Sequence, residues 1–490
     1  MSIAFNEIPS TIRIPGQYVE FDSSRASQGL PSLPHVALIV APRVSGGTAS
    51  NLTPFSISSA QAGINGFGYG SVGSFMAQAF RANNPYTELW GIGVNDSDTG
   101  TPAAGTATFV GAASAAGTLY FYIAGIQVPV TVTASMTAIQ QAAALVASMA
   151  NHELPVTAAV GTNPNEHVVT FTAKNDGTTG NKIDLRVNYN YGEELPAGTA
   201  CTIAAMASGA TDGAVASAIT AMGAVHYHTV ISAWDDDTNL DLFEAAMTTR
   251  WGPTVKQYGH LFAATMGSQG TMTTAGNLRN KYFTSVMGSG LSPAPTYWWA
   301  ASAGALDAYE CGVDPSRPRN TLELVGCLAP APASCLTATE RNTLLTDGIS
   351  TYTVDSDRTC RIERLITTLQ TTNSVPDDSW LDITKPRTLA AMAYSIEVRF
   401  ALRFPRYKLA DDGANYDPGQ PVMTPGLAKS ELLTLYKLWL GVAWVEDKMT
   451  QFKTDMLVER NSSNRNRLDV RIAPDLIDSF DILACQIQFQ

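Results

Sequence analysis

The densest group of side chains able to do chemistry is WDDDTNLDLFE, which sets Asp235, Asp236, Asp237 and Asp241 directly after an apolar, strand-like run. In an open α/β sheet, ligands bind outside the carboxyl ends of the strands, and adjacent carboxylates there could hold a hard cation. The plainer expectation is a loop whose acids cap the next helix and complement its dipole. No second acidic motif has the spacing to complete a cation site. His226 and His228 in HYH have strand spacing, which points both rings to one face as a metal pair would require. No third His, Cys or Glu stands near them, and the chain has only six histidines, so core or surface histidines are the simpler reading. GFGYGSVG (66–73) is glycine-rich ahead of a helix, but it lacks the lysine of a phosphate loop and the glycine spacing of a dinucleotide fingerprint. It reads as a turn between helices. Ser289 in SVMGSG follows a strand with no base in view, and neither a G-x-S-x-G elbow nor an H-E-x-x-H pair occurs. No catalytic residue, metal or cofactor is therefore expected.

Two segments suggest pairing rather than chemistry. The chain closes with DSFDILACQIQFQ, where Leu483, Cys485, Ile487 and Phe489 alternate with Gln486, Gln488 and Gln490. That is the period of a half-buried β-strand. Chain ends fray unless tied down, and an apolar strand at a free end is a pairing hazard unless covered. It joins either its own sheet, beside NRLDVRIAP, or the sheet of another molecule. At the other end, IPSTIRIPGQYVEFD sets Pro9 and Pro15 among the β-formers Ile12, Ile14, Tyr18, Val19 and Phe21. The prolines oppose helix, so residues 1–22 read as an extended arm.

Bulk composition agrees with an assembly subunit. Charged residues make up 15% of the 490-residue chain, against about 25% in a typical globular domain. Much of the surface must then be small and uncharged, which tolerates close contact with other protein. The net charge is −12 and no Lys/Arg run occurs, so direct nucleic-acid binding is not expected. No apolar run is long enough to insert in a membrane. The first residues lack the basic start and apolar core of a signal peptide, which suggests a protein made and kept in the cytoplasm. Six cysteines without a C-x-x-C pair read as reduced, mostly buried thiols.

The elements that would carry these residues fall into six stretches. After the arm, residues 23–96 begin an α/β core: HVALIVA (35–41) and TELWGIGV (87–94) are continuous apolar runs, the mark of strands covered on both faces. Between them lies a helix pair, the first capped by Ser59, the second with a stripe of Phe75, Met76, Ala79 and Phe80. A turn-rich, Ala/Gly/Thr-rich linker then opens an inserted β-rich domain, 97–207, with strands within 119–133, 154–161, 167–175 and 183–189. TAIQQAAALVASMANH supplies its one helix, and DGTTGN a tight turn. Over 208–335 the core resumes, with strands at 226–234 and 260–267 and in FTSVMG and TYWWAAS. Its helices fall at 239–251, at 274–282 and in AGALDAYECG. Residues 336–476 form a C-terminal α+β domain. It opens on a capping box of Thr337 and Glu340 and continues through two strands to a helix after Pro386. A helix near Pro425 carries a stripe of Leu432, Leu435, Tyr436 and Trp439, and strands DMLVERN and NRLDVRIAP follow. Residues 477–490 are the terminal strand. The expected fold is α/β and α+β, multidomain, with a mixed, largely parallel sheet flanked by helices, an inserted β-rich domain and extended terminal arms.

FNEIPSTIRIPGQYVEFD, LLTDGISTYTVDSDRTCRIERLITTLQT, LAKSELLTLYKLW and DSFDILACQIQF stand in an order that resembles the contractile tail sheath proteins of Mu-like bacteriophages. These belong to the wider tail sheath family of phages and contractile bacteriocins. The resemblance covers nearly the whole chain; its first two segments are the most specific, and the 97–207 insertion the least diagnostic. It implies a tail-sheath-like core and a non-enzymatic subunit that stacks in rings, commonly hexameric, around an inner tail tube. It implies contraction that drives the tube through the host envelope, a place in the virion tail, and tube, baseplate and terminator proteins as partners. It also implies that terminal arms add strands to neighbouring subunits, as in β-augmentation. The residues concerned are Ile12, Ile14, Tyr18, Val19, Phe21, Leu483, Cys485, Ile487 and Phe489. A reading from another class is a tail-associated or surface adhesin with a glycan-binding β-domain at 97–207. An enzyme built on the Asp235–Asp237 loop is a third.

Overall fold

The computed structural model describes residues 11–19, 29–31, 33–413, 416–417 and 420–489. They divide into two compact units, one of Pro34–Ala390 with Asp478 onward, the other built mainly from Ala391–Ile477.

The first unit opens with β1 (Val36–Pro42), β2 (Pro54–Ser56), α1 (Ala60–Phe67), α2 (Val72–Asn83) and β3 (Glu88–Val94). Ser59 and Ser71 cap the two helices, each side-chain oxygen accepting a backbone N–H that the helix leaves unmet. The insertion follows as β4 (Pro102–Val110), β5 (Gly117–Ile123), β6 (Ile126–Val132), α3 (Ala138–Met149), β7 (Val156–Val160), β8 (Val168–Asp176), β9 (Leu185–Val187) and β10 (Ala200–Ala207). The core then resumes with α4 (Val215–Ala221), β11 (Thr229–Ser232), α5 (Asp237–Arg250), β12 (His260–Thr265), α6 (Gln269–Asn277) and β13 (Thr284–Gly288). It ends with α7 (Thr296–Val313), β14 (Glu323–Leu328), α8 (Ala338–Thr346), β15 (Ile349–Val354), β16 (Thr359–Arg364) and the start of α9 (Thr384–Arg403).

Nine strands form one sheet in the order β14-β16-β15-β13-β12-β11-β1-β3-β2. From β15 through to β3 neighbours run parallel, and both ends of the sheet are closed by antiparallel strands. Every residue of β12 and β13 is buried, so their centres are apolar, while the buried polar residues His260 and Ser285 bond to each other at 2.8 Å. Helices α2 and α7 pack on each other and on the sheet. The expected stripe of Phe75, Met76, Ala79 and Phe80 is buried there. Strands β15 and β16, expected in a domain starting at 336, lie in the same sheet as β1. The insertion folds as a four-stranded sheet, β10-β4-β8-β7, and a three-stranded one, β6-β5-β9, around its own core of Phe109, Phe121, Val130, Leu145 and Phe171.

Several elements differ from the sequence reading. TYWWAAS is no strand; it begins α7, an 18-residue helix entered from Pro295. The Ala-rich run that follows carries high helix propensity, and burial on nearly all sides removes any apolar stripe. The Ala/Gly/Thr linker before 119 contains β4, which lies between β8 and β10. Its inward residues are mostly small (Ala103, Gly105, Ala107, Phe109), so the alternation is weak in hydropathy. Strand β10 also escapes the sequence reading: it is largely exposed, and a register shift between Ala204 and Ala207 breaks its alternation. Helix α6 runs earlier than 274–282 because Ser268 caps it, and DGTTGN holds a 3₁₀ turn, Thr178–Lys182.

The second unit contains the remainder of α9, then α10 (Pro425–Gly441) and α11 (Met449–Asp455). An antiparallel hairpin of Leu457–Arg460 with Leu468–Arg471 completes it. Thr424 caps α10 and Pro425 takes its first turn, where a missing N–H costs nothing. Leu432, Leu435, Tyr436 and Trp439 form the buried stripe expected of it. Trp439 Nε1 donates to Ser395 Oγ at 3.0 Å, and the buried Glu431 pairs with Arg399 and Arg403.

Candidate assembly site at the chain ends

The residues singled out for chemistry are occupied by structure. Asp236 caps α5, accepting from Asn239 N at 3.0 Å. Asp237 and Asp241 pair with Arg279 at 2.7 and 2.5 Å. Asp235 pairs with Lys182 of the insertion at 3.0 Å. Lys182 and Asn175 therefore reach the loops that follow the carboxyl ends of β11 and β1, the end at which an open α/β sheet would bind a ligand. Asn175 accepts from Val72 N at 3.0 Å and donates to Arg43 O at 3.0 Å and Asp96 Oδ1 at 3.2 Å. Burial pushes the Asp96 carboxyl up to about 6, outweighing the hydrogen bonds from Asn175 and the Asp176 backbone that favour its charged form.

His226 and His228 do share a face, with rings stacked 4.0 Å apart. His35, distant in sequence, adds a third ring 5.2 Å from His228. Val36 N donates to His228 Nδ1 at 3.2 Å, and burial, with the neighbouring rings and Arg387, lowers His228 to about 2. These imidazoles are half-buried, and burial holds them neutral. Among the described residues no set of three or more His, Cys, Asp or Glu side chains is arranged to hold a metal ion. The glycine run is a turn: Gly68 and Gly70 have φ of 94° and 78°, and Gly70 N donates to Glu153 Oε1 at 2.9 Å. Ser289 is buried and its hydroxyl donates to Thr265 O at 3.0 Å.

A buried ionic network escaped the sequence reading. Asp307 of α7 accepts from Arg319 Nε at 3.1 Å and from Arg387 Nε at 2.9 Å. Arg387 also donates to His228 O at 2.5 Å and to Thr229 Oγ1 at 2.8 Å. It thereby fixes the first turn of α9 to the amino ends of the strands. The available signal was the pair of acids, Asp307 and Glu310, inside the Ala-rich AGALDAYEC, since a buried carboxylate demands a cation.

The chain ends behave differently. Leu483, Ile487 and Phe489 are 78, 85 and 95% exposed, and Cys485 is exposed as well. The expected terminal strand is not formed within the chain. From Asp478 to Phe489 no residue belongs to a strand, and NRLDVRIAP pairs instead with DMLVERN through Leu457–Arg460 and Leu468–Arg471. The base of the segment is held, with Asp478 paired to Lys385 and Asp481 to Arg364 at 3.4 Å. At the other end, Ile12, Ile14, Tyr18 and Val19 are exposed and outside any strand, with Tyr18 OH donating to Ile14 O at 3.0 Å. Phe21 lies outside the described residues.

Residues 208–368 match the family model of the phage tail sheath protein central domain, and residues 375–490 that of the phage tail sheath C-terminal domain. Over 492 residues, spanning the whole of both chains, the sequence is 36% identical to the Mu-like prophage FluMu tail sheath protein of Haemophilus influenzae. The chain belongs to the phage tail sheath family. It is a structural subunit of a contractile tail sheath and a component of the virion. Among solved structures, the sheath tail protein of Desulfitobacterium hafniense shares the fold at 14% identity, with 95% of this chain and 97% of that one covered and a TM-score of 0.51. A sheath complex of an extracellular contractile injection system in its contracted state shares it at 10% identity, over 98% and 99% of the two chains, with a TM-score of 0.50. The alternative reading, an adhesin, finds no support in these matches, and the full-length relative aligns across the 97–207 insertion.

Proposed function

We propose that the sheath subunit polymerises as stacked, hexameric rings around an inner tail tube, and that its terminal segments cross to neighbouring subunits as added strands. The observation that carries this is the terminal segment itself. Leu483, Cys485, Ile487 and Phe489 alternate as a strand does, yet all are exposed in the single chain. A monomer that leaves such an edge open is prone to pairing with another chain. The complementary feature is the Leu457–Arg460/Leu468–Arg471 hairpin, a two-stranded sheet of its own with Leu457 and Val470 half exposed. An isolated hairpin is marginally stable in water, and a third strand would complete it.

In this reading Leu483, Cys485, Ile487 and Phe489 enter a neighbour's sheet, and the arm residues Ile12, Ile14, Tyr18, Val19 and Phe21 do the same from the other end. Main-chain ladders keep subunits linked while their cores reorient on contraction, and the tube is driven through the host envelope without catalysis by the sheath. The insertion, 97–207, faces outward from the core (23–96 and 208–335), and 336–476 carries the receiving surface. Tube, baseplate and terminator proteins are the partners, and assembly takes place in the host cytoplasm.

Removing residues 482–490 tests the reading, because it leaves the Asp478 and Asp481 pairs intact. The truncated chain should remain folded and fail to form tubes or striated polymers by negative-stain microscopy at concentrations where the full chain assembles. Normal tubes from the truncated chain would refute strand exchange by this end.

A further inference from the structure

A chain that offers an exposed apolar strand must not accept that strand at the wrong place. The nine-stranded sheet has two edges, β2 and β14. β2 is three residues long and begins with Pro54, so it presents little to pair with. β14 is longer and carries Leu324, Val325, Cys327 and Leu328. By sequence it is the better template for an added strand.

Its edge is nevertheless occupied. The Asn83 side chain, at the end of α2, takes both backbone groups of Val325: Val325 N donates to Asn83 Oδ1 at 2.9 Å, and Asn83 Nδ2 donates to Val325 O at 3.1 Å. That is the pair of hydrogen bonds one residue of an added strand would make. The amide is held in place from behind, with Nδ2 also within 2.8 Å of Ala79 O and 3.2 Å of Ser302 Oγ. The neighbouring backbone is shaped to meet it. The β14–β16 register shifts between Glu323 and Leu328. Gly326, at φ 81°, lies so close to Trp298 that an added Cβ would stand 2.8 Å from its Nε1. A bulge of this kind turns an edge away from further pairing.

We propose that Asn83 closes the β14 edge against strand addition by the terminal segment, Leu483–Phe489, of a second copy of this chain. This rests on the reading that terminal segments pair between copies. The edge guard confines that pairing to the Leu457–Arg460/Leu468–Arg471 hairpin. An amide side chain suits the task, because it satisfies a strand's donor and acceptor together without offering a further edge.

The test uses the full-length chain and its Asn83→Ala variant, kept below the polymerisation concentration, with and without excess synthetic peptide of residues 479–490. Hydrogen exchange read by mass spectrometry reports each segment. The peptide should slow exchange over residues 323–328 in the variant by tenfold or more, and leave those amides unchanged in the native chain. Protection of 323–328 in both chains, or in neither, overturns the edge guard. Exchange over β12 checks that the variant is folded. If Asn83→Ala loosens the whole sheet, Asn83→Asp, which keeps the acceptor for Val325 N but loses the donor to Val325 O, is read by the same criterion. Protection of residues 457–471 is scored separately. Its absence from both chains would count against strand exchange at the hairpin, while the behaviour of 323–328 still decides the guard.

Discussion

Replacing Asp307 by alanine should weaken the sheet unit more than almost any other single change. Asp307 is fully buried and is held by Arg319 at 3.1 Å and Arg387 at 2.9 Å. Its removal strands two buried guanidinium groups. Breaking a buried pair from one side costs roughly 3–5 kcal/mol, because the remaining charge is desolvated without compensation. That corresponds to an increase of roughly a hundredfold to several thousandfold in opening of the unit. Hydrogen exchange of the β11 and β12 amides at pH 7 measures this opening directly. Asp307→Asn, which retains the shape and one acceptor, should cost less. The pH dependence has a definite sign. Burial alone would raise the Asp307 carboxyl, but Arg387 and then Arg319 outweigh it and hold it below the usual carboxylate range. The stabilisation is therefore full above the ordinary pKa of about 4 and is lost as pH falls through the lower folded value. Asp307→Asn should flatten that acid limb. An alanine variant within about 1 kcal/mol of the native chain at pH 7 would refute the claim that this network anchors α9.

Ile487→Ala removes a side chain that is 85% exposed in the single chain, so monomer stability should not change. If the side chain is buried in a neighbour, roughly 2 kcal/mol is lost per contact, and the critical concentration for polymerisation, read by sedimentation, rises roughly 30-fold; an unchanged value would show that Ile487 stays exposed in the polymer. Asp96→Asn should raise the thermal midpoint at pH 8. Asp96 is pushed up to about 6, by burial first, so its contribution is present at low pH and lost as pH rises through that value. The native chain should accordingly gain stability between pH 7 and 5, and the variant should not. Asp481→Asn breaks the 3.4 Å pair with Arg364. Global stability should move by less than about 1 kcal/mol while protease cutting after residue 478 becomes faster; equal cutting rates would mean that the pair does not hold the segment's base.

What could be read in advance followed the strength of each local pattern. β1 and β3 were legible as continuous apolar runs, because strands covered on both faces are apolar over most of their length. The caps at Ser59 and Thr337 were legible because capping is local chemistry. β4 was not, since Ala103, Gly105 and Ala107 bury too little to show a period. α7 was split because a helix apolar on all sides shows no stripe. The Asp307 network and the His35–His228 contact join residues far apart in sequence, and spacing carries no trace of them. The terminal segment is the instructive case. Its alternation was plain, but a strand exists only with a partner, and among the described residues Leu483–Phe489 has none. The edge guard at Asn83 was equally invisible, because it depends on where the end of α2 meets Val325.

The most direct test is to trace the backbone from Asp478 to Gln490 in the assembled sheath by cryo-electron microscopy. Strand exchange predicts continuous density carrying Leu483–Phe489 into a different subunit, paired along the Leu457–Arg460/Leu468–Arg471 hairpin. Density that returns to the segment's own subunit, or that leaves these residues unpaired in the polymer, would contradict it.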